Sequence, residues 1–168
     1  MDFERIGVKM SIKEFILGKW DGKPIEWSVL KEESFGTLVI SKDRIAKTVF
    51  DNSSSNNKWG SCSLRKFLNG GFFNQAFSDD EKKKIVNVKL DNIKDDIFIL
   101  TEDEVKNLLK DDYYDKLHRN NFGNCNSCCW TRTKDGTKVR TGYASGCWCS
   151  YSPNCEYSVR PAMYIKMK

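Results

Sequence analysis

Apolar and polar positions alternate with a period of two through much of the first third of the chain. Phe15-Ile16-Leu17-Gly18, Ile25-Glu26-Trp27-Ser28-Val29-Leu30 and Thr37-Leu38-Val39-Ile40 carry the pattern. Asp21-Gly22-Lys23-Pro24 and the Lys31 to Gly36 segment punctuate it with turn-forming residues. Successive side chains of a strand point to opposite faces, so the alternation predicts a small antiparallel meander. After the polar loop Asp51 to Lys58 the period changes. Leu64, Phe67 and Leu68 take the three-and-four spacing of a helix face, with Ser61 or Ser63 as cap and Gly70-Gly71 as the stop. Ser78-Asp79-Asp80-Glu81 reads as a capping box, and Thr101-Glu102-Asp103-Glu104 repeats it ahead of Val105, Leu108 and Leu109. Two strand-like runs, Ile85 to Leu90 and Asp96 to Leu100, lie between them. From Asp111 onward the pattern is irregular. Strands are predicted only at Cys129 to Arg132, Lys138 to Tyr143, Gly146 to Tyr151 and Tyr157 to Lys166, with long loops running over a sheet. The sum is an α+β chain of small antiparallel sheets, two or three helices and long C-terminal loops.

The 168 residues suit one domain, 1–168, with a core from about residue 15 onward. An aromatic share of 12% and only three prolines fit a folded chain rather than a disordered one. The formal charge is +5, but the basic residues are scattered. The one dense run, Lys82-Lys83-Lys84, follows Asp79-Asp80-Glu81 and reads as a solvated helix face in preference to a nucleic-acid patch. The first twenty residues lack the apolar core of a secretory signal, and no stretch approaches the roughly 18 apolar residues of a membrane span. The expected location is cytoplasmic or phage-associated, where a reducing environment keeps most cysteines as thiols.

Six of the seven cysteines fall between Cys125 and Cys155, among Trp130, Tyr143, Trp148, Tyr151 and many small polar residues, with Tyr157 just beyond. Cys125-x2-Cys128 and Cys147-x-Cys149 form one CxxC and one CxC pair, so these four thiolates could hold zinc tetrahedrally. On a strand Cys147 and Cys149 share a face and Trp148 takes the other, which suits two ligands or two small buried side chains equally. Core filling, a metal or disulfide site and a catalytic thiol all stay open on spacing alone. A nucleophile needs a base within hydrogen-bond reach, and His118 is the only histidine, in the basic stretch ending a predicted helix. Cys62 stands at a predicted helix start, where the dipole would lower its pKa and burial beside Leu64 would raise it. Gly70-Gly71 lacks the frame of a phosphate-cradling loop.

Several blocks taken together carry a family resemblance. They are the Ile25 to Leu30 strand, Leu38 to Lys42, KWGSCSLRKFLNGGFFNQAFSDDEKKKI, DIFILTEDEVKNLL and the ending VRPAMYI. They resemble a bacterial family of uncharacterised domains with the pattern W..CSLRKWLN..F...AFS..EK..I, a FLLS..E helix, a W.R(S/T) strand and a final G(V)RPA strand. The resemblance implies the C-type lectin-like fold, shared with formylglycine-generating enzymes and with the variable proteins of diversity-generating retroelements. Fold likeness alone says little about function. Trp130 and Arg132 match the W.R(S/T) strand, and Val159-Arg160-Pro161-Ala162 the last one; both are expected to be framework.

In calcium-dependent lectins paired triplets supply calcium and sugar ligands. Here Ser152-Pro153-Asn154 lacks the carboxylate, no Trp-Asn-Asp occurs, and Cys125 to Tyr157 offers only Asp135 and Glu156 to a cation that prefers six to eight oxygens. The resemblance to variable proteins implies a diversified contact surface just before the last strand. The Asn, Ser, Tyr and Gly mixture between Asn121 and Tyr157 matches paratope-like composition. The leading expectation is a non-enzymatic module without cofactor that binds a protein in preference to a glycan. Tyr143, Trp148, Tyr151 and Tyr157 would serve as aromatic anchors, with Asn124, Asn126, Ser127, Ser145, Ser150 and Asn154 as adaptable hydrogen-bonding groups. The contrasting expectation is a metal- or thiol-dependent enzyme resembling formylglycine-generating enzymes, whose copper-binding cysteine pair would correspond loosely to Cys147 with Cys149 or Cys149 with Cys155, or a zinc-stabilised binding domain. Nucleic-acid binding driven by the positive charge would need an affinity that falls steeply with salt.

Overall fold

The alternating runs of the first third do form a meander, β1 (Glu14–Trp20), β2 (Lys23–Glu33) and β3 (Gly36–Ser41). The structure, a computed structural model, describes residues 14–109, 128–143 and 146–167, with Tyr143 and Cys147 described by backbone alone. The β1–β2 turn is the two-residue Asp21-Gly22, both at positive φ (52° and 74°), between the paired Trp20 and Lys23. Positive φ at both central residues gives the turn the twist of the strands it joins, which Asp-Gly adopts readily. A second such turn, Asp91-Asn92 (φ 48° and 67°), closes a hairpin of β6 (Val88–Leu90) and β7 (Ile93–Asp95). The expected strand at Asp96 to Leu100 is instead a segment outside the named strands, bent at Asp96-Ile97 and joined to the sheet by one bridge from Phe98 to Ala162.

Two five-stranded sheets make the body. The first has the order β1-β2-β3-β12-β5, with β5 at Ile85–Val86 and β12 at Ala162–Ile165; all its pairs are antiparallel. The second has the order β10-β9-β8-β11-β4, built from β4 (Ala46–Val49), β8 (Cys129–Asp135), β9 (Lys138–Tyr143), β10 (Gly146–Tyr151) and β11 (Glu156–Val159). Within it β11 runs parallel to β8. The single strand expected from Tyr157 to Lys166 is therefore two strands in different sheets. Pro161 has no N–H for a ladder, and the chain changes sheet at Arg160-Pro161. Buried Arg160 donates from Nε to the Ser41 carbonyl (3.0 Å), and the Pro161 carbonyl accepts from the Ser41 N–H (3.0 Å). An apolar run reads the same on either side of such a switch, which is why periodicity misses it.

The expected stop at Gly70-Gly71 is not a stop. Helix α1 (Ser63–Phe67) passes through a π-helical turn (Leu68–Phe72) directly into α2 (Phe73–Ala76). The glycines cost helix stability, but continuation carries Phe72, Ala76 and Phe77 into the core. Phe72 meets Trp20 edge-on at 5.1 Å and Phe77 at 5.8 Å. The cap is neither Ser61 nor Ser63 but Cys62, whose sulfur accepts from the Arg65 N–H (3.4 Å). Its thiol is fully buried, and burial pushes its pKa up to about 11. At Gly18 (φ 77°), where β1 bulges, a Cβ would come 2.7 Å from the Phe77 ring and 2.8 Å from the Ala76 carbonyl. That glycine lets the helical run lie against the sheet.

The motif block holds the β6–β7 hairpin and the segment after it. Fully buried Asp95 accepts from Trp59 Nε1 (2.7 Å) and Arg65 Nε (2.6 Å), while Arg65 also donates to the Gly60 and Lys94 carbonyls. Asn69 donates to the Arg65 and Ile97 carbonyls and accepts from the Asp96 and Ile97 N–H groups. Ser78 caps α3 (Asp79–Lys82) by accepting from the Glu81 N–H. Among the described residues no helix is long and apolar enough to cross a membrane.

Candidate functional site

The W.R(S/T) residues place a helix on the second sheet. Helix α4 (Glu102–Leu108) begins with a complete capping box, in which Thr101 Oγ1 accepts from the Glu104 N–H and Glu104 Oε1 from the Thr101 N–H, both at 3.1 Å. Arg132 donates from Nη2 to the same Glu104 Oε1 (3.1 Å) and from Nη1 to the Ile99 carbonyl, and Thr133 Oγ1 accepts the free Glu102 N–H (2.9 Å). Trp130 packs on Phe50 and donates from Nε1 to the Thr48 carbonyl (2.9 Å). These residues are framework, as the resemblance implied.

With α4 fixed, Glu102 faces the sheet and meets Arg140 of β9. Arg140 Nη2 lies 2.9 Å and Nε 3.3 Å from Glu102 Oε1, and Lys106 Nζ approaches the same oxygen at 3.1 Å. Arg140 Nη1 donates to Ser150 Oγ (3.1 Å), which donates to Asp135 Oδ2. Beside this chain stands Trp148, half-buried, with Lys106 Nζ 5.0 Å and Arg140 Cζ 5.9 Å from its ring centroid. The ring rests on Gly142, where a Cβ would come 2.5 Å from Trp148 Cε3. A half-open indole is thereby fixed from below by backbone and flanked by two cations.

The Arg140 guanidinium, hydrogen-bonded to Glu102, holds that carboxyl below the ordinary glutamate value against the upward push of burial, and Arg140 is raised in return. A carboxylate with a depressed folded pKa stabilises fully above its unfolded value of about 4.3 and ceases to do so as pH falls through the lower folded value. The expected result is that wild type melts above Glu102→Gln at pH 7 and that the gap between the two midpoints narrows as the pH falls below about 4.3. A constant gap across that range would show that the pair contributes nothing pH-dependent.

The residues expected to form one contact surface divide between two faces of the sheet. Ser150 pairs with Arg140 and, with Trp148, faces α4. Cys149 and Tyr151 pair with fully buried Thr141 and Val139 and turn to the core side. Tyr157 is not an exposed anchor: it is 7% exposed, meets Trp130 edge-on at 5.2 Å and stacks with Tyr151 at 4.4 Å. Tyr157 and Val159 share the buried face of β11, which sets the Tyr157 ring against Trp130 and Tyr151. A hydrogen bond with Tyr157, then burial, pushes the Tyr151 phenol well above its usual range. Asn154 is exposed, its Oδ1 accepting from Ser152 Oγ at 2.7 Å.

Asn124, Asn126, Ser127, Ser145, Cys125 and His118 lie outside the described residues, as do the side chains of Tyr143 and Cys147. Of the four cysteines read as zinc or copper ligands, Cys128 is buried and Cys149 half-buried. Among the described residues no group of three or more His, Cys, Asp or Glu is placed to hold a metal ion.

Sequence reasoning missed Glu102, Lys106, Asp135 and Arg140, which come together only when α4 docks. Gly142 did carry a signal, since a glycine inside a strand marks a bulge or a close approach. No curated protein and no solved structure matches the chain. A family model matches residues 35–167, from the β2–β3 turn to just beyond β12, and by that match the chain belongs to the domain family of unknown function DUF6273.

Proposed function

We propose that the protein is a non-enzymatic recognition module of C-type lectin-like fold that binds a protein ligand at the surface where α4 meets β9 and β10. The scaffold reading draws support from the α+β build and from a last strand that returns to pair with β3 in the first sheet. The observation that carries the binding reading is Trp148, a half-exposed indole held by Gly142 and flanked by Lys106 and Arg140. Rigid aromatic anchors bind at low entropic cost, and their loss commonly dominates an interface. Ser150, Arg140 and Asp135 supply hydrogen-bonding groups beside the ring, and Asn154 adds an exposed amide beyond β10. Zinc or copper on the cysteines has no part in this reading.

The test is capture of ligands from the native host or its neighbours, followed by affinity measurement. Trp148→Ala is expected to weaken binding by at least about 2 kcal/mol, roughly thirtyfold. Phe35→Ala, at an exposed position in the β2–β3 turn, is expected to bind as wild type does. Equal recovery of the same partners by wild type and Trp148→Ala would place the binding surface elsewhere.

A further inference from the structure

Asn69-Gly70 is the one Asn-Gly step in the chain, and it falls in the π-helical turn between α1 and α2. An Asn side chain followed by glycine is open to intramolecular attack, because glycine offers no side chain to hinder the approach and its backbone turns freely. In the native fold both ends of the Asn69 amide are engaged. Nδ2 donates to the Arg65 carbonyl (3.1 Å) and the Ile97 carbonyl (2.8 Å), and Oδ1 accepts from Asp96 N–H (2.8 Å) and Ile97 N–H (3.0 Å). The amide is thus directed at the segment after β7 and held inside a helical run.

We propose that Asn69 is a spontaneous deamidation site that the native fold silences, so that prolonged unfolding becomes irreversible. In the unfolded chain the Gly70 amide nitrogen attacks Asn69 Cγ. A C–N bond forms to close a succinimide, the Gly70 amide proton passes by way of water to the side-chain nitrogen, and the Cγ–Nδ2 bond breaks to release ammonia. Water then opens the ring at either carbonyl, giving aspartate or isoaspartate. Either product has lost both donors to the Arg65 and Ile97 carbonyls and presents a carboxylate to those two oxygens. Isoaspartate also adds a backbone carbon inside the π-helical turn. The converted chain therefore lacks the clamp that joins the helical run to residues 96 and 97.

The experiment incubates wild-type protein at neutral pH, folded or in urea, and follows the peptide containing Asn69 by mass spectrometry. Conversion in the folded protein is expected to be at least about a hundredfold slower, a conservative factor for four native hydrogen bonds that must open together. Equal rates, or an intact Asn69 in the unfolded chain, would overturn the proposal. Gly70→Ala separates the chemistry from the fold, because a Cβ there meets nothing within 4 Å and the variant should fold. It is expected to slow conversion in urea severalfold, because alanine narrows the backbone freedom the attack needs; an unchanged rate would sink the succinimide route. Converted wild type, returned to native buffer, is expected to melt below fresh protein, with its aspartate fraction matching Asn69→Asp and its isoaspartate fraction lower still. An unchanged midpoint would refute the irreversibility.

Discussion

Asp95→Ala is expected to lower the unfolding free energy by about 3 kcal/mol, the lower end of the cost of removing one partner of a buried ion pair. The carboxylate is fully buried and accepts from both Trp59 Nε1 and Arg65 Nε. Alanine would leave a buried indole N–H without its acceptor and a guanidinium held by two carbonyls alone, those of Gly60 and Lys94. The lower end applies because the Arg65 side chain keeps 23% exposure and water can reach part of it. Asp95→Asn retains an acceptor and loses the charge, so its cost should be smaller, about 1.5 kcal/mol. Denaturant unfolding at constant m-value measures both. If Asp95→Ala unfolds within about half a kcal/mol of wild type, the network does not hold the β6–β7 hairpin. The expected effect is large because one carboxylate ties a 3₁₀ turn (Trp59–Ser61), α1 and β7 together.

Gly142→Val should combine a stability loss with a binding loss. The Cβ position is 2.5 Å from the Trp148 ring and Gly142 itself is buried, so the indole must leave its seat. Overpacking of this kind costs about 1–3 kcal/mol. Expulsion also breaks the placement of Trp148 against Lys106 and Arg140, so affinity for the captured ligand should fall at least as far as in Trp148→Ala. A Gly142→Val protein that folds and binds normally would show that the seated indole is not the anchor. Together with Trp148→Ala this distinguishes the presence of the ring from its position.

Much of the fold was legible because it rests on local rules. The β1–β2 turn follows from Asp-Gly, the α4 start from Thr101 and Glu104, and the meander from alternation. Where reading along the chain failed, a non-local interaction had overridden a local preference. Gly70-Gly71 should end a helix, but burial of Phe72 and Phe77 favours continuation. Tyr157 has the composition of a contact residue, but its strand faces Trp130. The run through Arg160-Pro161 looks continuous, but its two halves pair with different sheets.

By itself the sequence determined the α+β class, most strands of both sheets and the α4 capping box. Each depends on periodicity, turn chemistry or a motif within a few residues. Tertiary structure alone decided which aromatics are open to a partner. Trp148 stays accessible because Gly142 supports it from beneath, and Tyr157 does not because it packs on Trp130 and Tyr151. It also assembled Glu102, Lys106, Asp135, Arg140 and Ser150 from positions 102 to 150 of the chain. No local pattern records such a meeting, because it comes into being only when a helix docks on a sheet formed by residues far along the chain.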